Sequence, residues 1–311
     1  MTQAIVPRES RTTILVLGNA ADPHAARIYQ ALEAAQCKVY YWDTCAFPTE
    51  SRLSLIPQAQ TAELVLASGD RISFHQIKSV FWRNFSGVAP PAMPAESRQI
   101  AEWDCLSLTR SLLQFPDIRW VNSWTAYQFH QEKPRQLAQV HRLGVTIPAT
   151  VISNDPKILQ DFAASQRELI FKPVYGGAHT ERVSPAHLET ERLRQTLRFA
   201  PVTLQQYVAG TNVRSYVLGD AVYTAEIRSD AVDFRQDDGA QLIPLQPPAA
   251  VAQQSRAIAR ALLLEWTAID WRVTPSGEYF FLEANPSPMF IHFENKTGFP
   301  ITQKLVEILM A

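Results

Sequence analysis

The stretch YFFLEANPSPMF, residues 279–290, sets a glutamate and an asparagine two positions apart inside an otherwise apolar run. Phe280, Phe281 and Leu282 suit a buried strand, whereas Glu283 and Asn285 are costly to bury without partners. Just upstream, AIDWRV (268–273) reads as a second strand, and the Ser276–Gly277 pair between the two reads as a two-residue hairpin turn. Such a turn places Asp270 opposite Glu283, with Asn285 two residues further along the same face. Like charges facing each other destabilise a sheet unless a cation lies between them, and two carboxylates with an amide oxygen suit a hard divalent ion such as Mg²⁺. Taken alone, the hairpin is explained slightly better by a solvated sheet face carrying three polar residues, although its many aromatic neighbours weigh against a wet face.

The rest of the chain sets the bounds. Its 311 residues, 46% of them hydrophobic, predict about two domains. Lys and Arg total 29 against 30 Asp and Glu, a net charge of -1, so no positive field exists to collect nucleic acid or an anionic membrane. No apolar run approaches the ~18 residues of a membrane span. The opening MTQAIVPRES lacks a signal-peptide core, and a cytoplasmic location is expected. Cys37, Cys45 and Cys105 are too few and too scattered for a disulfide framework or a zinc site and read as reduced packing residues.

TTILVLGN (12–19) followed by DPHAARIYQALEAAQ predicts a strand, a turn and a helix with Asp22 as cap and Pro23 in the first turn. Its single glycine falls short of the three that a dinucleotide fingerprint needs. KVYYWDT, KSVFWRNF and the helical stripe in 95–115 extend this into a small α/β layer. Further on come the helix KPRQLAQVHRLG, the strand ATVIS, the helix PKILQDFAAS, the strand ELIFKPV and the helix HLETERLRQTL. Mostly antiparallel strands follow, with a Gly219–Asp220 hairpin turn. ITQKLVEILM predicts the last helix.

Within ELIFKPVYGGAHT, Lys172 follows a strand, and Gly176 and Gly177 let backbone approach a bulky anion. The P-loop pattern occurs nowhere, and a lysine before a glycine pair is by itself an ordinary turn. Lys133 opens a helix ahead of Pro134, a bland position in isolation. Arg214, Arg228 and Arg235 can clamp a phosphate or carboxylate or serve as surface charges.

The order of these features is more informative than any one of them. A lysine at a helix start precedes a lysine before a Gly-Gly loop; QQYV, NVR, and then Asp with Glu-x-Asn on a hairpin follow. This resembles the ATP-grasp superfamily, and within it the RimK-type ligases and the microviridin (graspetide) peptide ligases. The similarity runs from about Ile14 to the end, through DPHAARIYQALE, VFWRNF, FKPVYGGAHTERV, NVRSYVLGDAVYTAEI, DFRQDD, AIDW and FLEANPSP.

The resemblance implies an α/β (α+β) ATP-grasp fold. It divides into a pre-ATP-grasp α/β domain (1–120), a central subdomain with a Gly-rich lid loop (121–200) and an antiparallel-sheet subdomain holding the metal site (201–311). It implies ATP and one or two Mg²⁺ ions, with Mn²⁺ as a substitute. Lys133 and Lys172 would contact the phosphates beneath the loop of Gly176 and Gly177. QQYV (Gln205, Gln206, Tyr207, Val208) would be the adenine hinge, with backbone groups of Tyr207 and Val208 reading the base. Asp270, Glu283 and Asn285 would hold metal, and Arg214, Arg228 and Arg235 would face the transferred phosphate or a substrate carboxylate. His179 in the Gly-Gly loop is a proton acceptor or a surface residue.

Two positions depart from the family's pattern: Gln206 stands where such hinges commonly carry Glu, and Asn212 where an acidic residue often binds the ribose hydroxyls. Both keep hydrogen-bonding capacity. An ideal register also puts Arg214 and Arg228 on opposite hairpin faces, so both line one site only if a bulge intervenes. The implied activity is a carboxylate-amine ligase acting through an acyl phosphate on a peptide or amino-acid substrate and an amine acceptor. A graspetide-type ligase closing ester or lactam bonds and a non-catalytic nucleotide-binding module are the competing readings. Oligomerisation stays open.

Overall fold

The structure, a computed structural model, describes residues 11–85, 87–175, 180–228 and 241–311. The chain forms two compact units. The first contains the residues up to Ala126, Leu263–Trp266 and the segment from Ser287 onward; the second contains Tyr127–Leu262 and Thr267–Pro286.

The first unit opens with β1 (Thr13–Leu17), whose run TILVL is buried at every position. The helix α1 (Pro23–Ala34) follows, its start fixed by Asp22 accepting from the amides of His24 and Ala25 at 2.8 and 3.1 Å. The strand β2 (Lys38–Trp42) pairs parallel to β1. The strands β3 (Arg52–Ile56), β4 (Thr61–Val65) and β5 (Arg71–Ser73) form a separate antiparallel sheet that the sequence reading did not pick out. With β6 (Ile77–Trp82) and, beyond the helix α2 (Ala95–Leu112), β7 (Arg119–Val121), the main sheet has the order β2-β1-β6-β7, parallel throughout. The buried runs of the two central strands, β1 and β6, are what a parallel sheet covered on both faces requires. Leu15, Leu17, Trp42, Leu64, Phe74, Val80, Trp82 and Leu112 share its core. The helix α3 (Trp124–Gln131) carries the chain out of this unit.

In the second unit the end of α3 is followed by α4 (Lys133–Arg142). Then come β8 (Thr150–Ser153), α5 (Pro156–Ala164), β9 (Leu169–Pro173), β10 (Glu181–Arg182), α6 (Thr190–Leu197) and β11 (Val202–Gln206). These strands make an antiparallel sheet, β10-β9-β11-β8, over a core of Leu159, Leu169, Leu193, Leu197, Val202 and Leu204. A second sheet has the order β14-β13-β12-β15-β16, from β12 (Thr211–Leu218), β13 (Ala221–Arg228), β14 (Gln241–Leu245), β15 (Trp266–Val273) and β16 (Tyr279–Asn285), with α7 (Ala249–Ala261) between β14 and β15. The two-residue Gly219–Asp220 turn is present, joining Leu218 to its partner Ala221.

The turn expected at Ser276–Gly277 is not the one formed. The amide of Thr274 bonds the carbonyl of Glu278 at 3.0 Å, leaving a three-residue loop, Pro275–Gly277, with Gly277 at φ 84. This shifts the ladder by one residue. A bulge restores it: Trp271 pairs with Phe281, Asp270 with Glu283, and Leu282 is the extra residue.

The closing helices α8 (Ile291–Thr297) and α9 (Ile301–Met310) return to the first unit, where α9 packs on α1 and β6 and Ser79 Oγ donates to the Leu309 carbonyl at 2.7 Å. Among the described residues no helix is long and apolar enough to cross a membrane, and no cysteine forms a disulfide.

Candidate active site

The second unit contains a cavity of about 370 Å³ lined by residues of α4, β9, β11, β12, β15 and β16. Asp270 and Glu283 face each other on its wall, as the hairpin pattern predicts, and Asn285 follows on the same strand. Each carboxylate is paired with a cation. Arg214 meets Asp270 with both prongs, Nε to Oδ1 at 2.6 Å and Nη2 to Oδ2 at 2.8 Å, and Lys133 Nζ bonds Glu283 Oε2. Burial alone would lower the Arg214 guanidinium, but the Asp270 carboxylate raises it above its ordinary range, so the pair stays ionised. Among the described residues no group of three or more His, Cys, Asp or Glu is placed to hold a metal ion. The two carboxylates and one amide here offer oxygen only, a chemistry that would suit Mg²⁺ rather than a softer metal.

Lys133 reaches this site because α4 is pinned to β16 by a residue the sequence reading missed. Buried Gln136 donates to the Ala284 carbonyl and accepts from the Ala284 amide, both at 2.9 Å. It lies three residues after Lys133, so both share one helix face, a periodicity that could have flagged it. Lys172, on β9, donates to Gln205 Oε1 at 2.9 Å, and Gln205 Nε2 donates to Thr150 Oγ1 at 2.8 Å. The Gln205 side chain thus bridges Lys172 and Thr150 on the cavity wall. Burial pushes the Lys172 ammonium down to about 8, opposed by the charge of Glu283 and reinforced by that of Lys133.

The QQYV segment borders the same cavity. The Gln206 side chain is occupied, accepting from the Ala149 amide at 3.2 Å, and the Tyr207 amide bonds the Glu168 carbonyl at 2.9 Å. Arg182 lies 3.8 Å from the centre of the Tyr207 ring. Arg272, also absent from the expected set, donates to the Val208 carbonyl at 2.9 Å and to Asn212 Oδ1 at 2.8 Å. Strand alternation could have found it, two residues beyond Asp270 on the same face. His130 is a third addition to the wall. Burial lowers its pKa and Lys133 adds to that, against the opposing pull of Glu283 and a backbone hydrogen bond at Ala284.

Not every expected residue arrives here. The β12–β13 register runs unbroken from Asn212 to Leu218, so the bulge needed to bring Arg228 beside Arg214 is missing. The Arg228 side chain is 62% exposed and bonds Glu226 at 2.8 Å. Gly176, Gly177, His179 and Arg235 lie outside the described residues.

No family model matches the sequence, and no curated protein does. Solved structures match over nearly the whole chain. The ATP-grasp ligase PsnB, complexed with minimal precursor, is 28% identical with a TM-score of 0.83 over 96% of this chain and 98% of its own. PsnB has also been solved with that precursor, Mg and ADP. The macrocyclase MdnC from Microcystis aeruginosa MRC, bound with precursor peptide MdnA, is 25% identical with a TM-score of 0.84 over 96% and 99% of the two chains. A RiPP-associated ATP-grasp ligase from Chryseobacterium gregarium, in complex with ADP and a leader and core peptide, is 23% identical over 96% of both chains with a TM-score of 0.85. At that identity it speaks for the fold alone.

Proposed function

We propose that this chain, a member of the ATP-grasp superfamily similar to its graspetide ligases, is an ATP- and Mg²⁺-dependent ligase that joins a carboxylate of a peptide substrate to an amine or hydroxyl. The observation that carries the reading is the convergence of Lys133, Lys172, Asp270, Glu283 and Asn285 on one cavity. A module that only bound nucleotide would have little use for a complete set of metal donors.

The chemistry needs an activated acyl group, because amide or ester formation from a free carboxylate is uphill in water. In this reading the substrate carboxylate attacks the γ-phosphorus of ATP, ADP leaves, and the acyl phosphate is opened by the amine or hydroxyl with release of phosphate. Lys133 and Lys172 bind and orient the phosphates. Asp270, Glu283 and Asn285 would hold Mg²⁺, which would neutralise charge on the phosphates. Arg214 keeps Asp270 ionised and fixed in orientation. The Tyr207 amide and Val208 carbonyl are already bonded, so the Val208 amide and the Tyr207 carbonyl are the hinge groups left to read a base. The lid role of Gly176 and Gly177 and the oxyanion role of Arg235 rest on the family resemblance alone, as does the division into a lid-bearing part at 121–200 and a metal-bearing part at 201–311.

Of the readings that the sequence left open, modification of a precursor peptide is favoured by the peptide-bound complexes of PsnB and MdnC. The test offers purified enzyme, ATP and Mg²⁺ to a peptide extract of the source cells. The expected result is a peptide that loses one water per bond as ADP forms. Wild-type and Asp270→Ala proteins that bind ATP equally and leave every peptide unchanged would instead identify a non-catalytic module.

A further inference from the structure

The helix α2 is 18 residues long, yet only its second half is anchored. Thr109 and Leu112 are buried, and Cys105 and Leu108 pack against the core of the first unit, so one face of these turns looks inward. Every residue from Ala95 to Ile100 is exposed. On the side opposite the anchor, the helical period gathers Glu96, Gln99, Ile100, Trp103, Ser107 and Arg110 into one stripe. Ile100 is 58% exposed and Trp103 63%, although both are side chains that a helix of a folded protein ordinarily turns toward a partner.

The stripe is symmetric in chemistry about Trp103. Three residues to either side stand the apolar Ile100 and half-buried Leu106, four to either side the polar Gln99 and Ser107, and seven to either side the oppositely charged Glu96 and Arg110. We propose that α2 is the seam of a homodimer, an antiparallel helix pair whose two-fold axis passes at Trp103. Such a pair stacks Trp103 on its own copy, sets Ile100 level with Leu106 of the second copy and brings Glu96 to Arg110 of the second copy at both ends. A parallel pair would instead set Glu96 against Glu96 and Arg110 against Arg110. The Arg110 guanidinium already lies 5.6 Å from the centre of the Trp124 ring, which holds it at the end of the stripe. One helix pair about 27 Å long is at the small end of specific interfaces, so a reversible dimer with a Kd of about 10 µM is expected rather than a permanent one. The inference is independent of the ATP reading and its test needs neither nucleotide nor peptide.

The test is sedimentation equilibrium of the full chain. Wild type should pass from monomer to dimer between about 1 and 100 µM, a range centred on the expected Kd. Trp103→Glu places two like charges on the axis and should weaken the dimer at least about tenfold, with an unchanged melting temperature for the monomer because the side chain is exposed. Glu96→Arg and Arg110→Glu should each weaken self-association about threefold or more. Mixed in equal amounts, these two variants should pair with each other at wild-type strength, because both end contacts are then between opposite charges. A chain that stays monomeric throughout the range overturns the proposal, as does a dimer that Trp103→Glu leaves equally tight. Failure of the mixture to associate better than either variant alone overturns the antiparallel register.

Discussion

The guanidinium of Arg214 holds both carboxylate oxygens of Asp270, at 2.6 and 2.8 Å, with both side chains largely buried, 18% and 14% exposed. Removing one partner of such a pair strands the other, at a cost of about 3 kcal/mol. Asp270→Ala should therefore lose both stability and ligase activity. The double variant Asp270→Asn with Arg214→Met should regain most of the stability and none of the activity. Chemical denaturation read beside ADP release separates the two effects; a double variant that remains as unstable as Asp270→Ala would show that the cost lies elsewhere.

Lys133 occupies Glu283 as Arg214 occupies Asp270. If Asp270 and Glu283 hold Mg²⁺ and Lys133 meets phosphate, as proposed, the ion competes with both cations, so Mg²⁺ alone should bind weakly and ADP should tighten it by at least about tenfold, its phosphates drawing the lysine away and adding oxygen ligands. Lys133→Met should tighten Mg²⁺ in the absence of nucleotide and weaken ADP. Titration calorimetry reads both, and equal Mg²⁺ affinity with and without ADP would count against a shared site.

Gly210 adopts φ +148 with the Val273 carbonyl where a Cβ would sit. Gly210→Ala combines backbone strain with a clash against main chain, expected to cost about 2–3 kcal/mol. Because the displaced segment carries Tyr207 and Val208, nucleotide affinity should fall as well. A variant with unchanged melting temperature and ATP affinity would contradict the packing described.

His24 is buried in the first unit, where Nδ1 accepts from the amides of Phe290 and Ile291 at 3.2 and 3.4 Å. Burial, helped by the charge of Arg83 and opposed by that of Asp22, lowers its pKa from 6.5 to about 4. The unfolded chain therefore binds this proton first, and stability should fall as pH drops from 6.5 toward 4. His24→Gln keeps an acceptor without the titration, and its melting temperature should fall less steeply over that window.

Patterns of alternation and order carried much of this architecture; compensating irregularities and buried amides did not announce themselves. Opposition of Asp270 and Glu283 was legible because it needs only a hairpin and a period of two. Yet it arises differently from the expected route: a longer loop at Pro275–Gly277 and a bulge at Leu282 cancel. The small sheet of β3, β4 and β5 was passed over, since RLSLI is short and its leucines are only partly buried, packed on a cluster that reaches from Leu64 to Leu112. Gln136 and Gln205 carry no local signature either, because a glutamine reads as surface until tertiary partners such as Ala284 and Lys172 are known. Arg228 was placed near the site by order along the chain, while the unbroken ladder turns it to the other face.

The claim that this cavity activates a carboxylate with ATP is tested most directly by isotope transfer. A peptide substrate labelled with heavy oxygen in its reactive carboxylates is converted by the enzyme with ATP and Mg²⁺, and the released phosphate is analysed by mass. One labelled oxygen in the phosphate for each bond closed is the predicted result. Bond formation with unlabelled phosphate would contradict carboxylate phosphorylation.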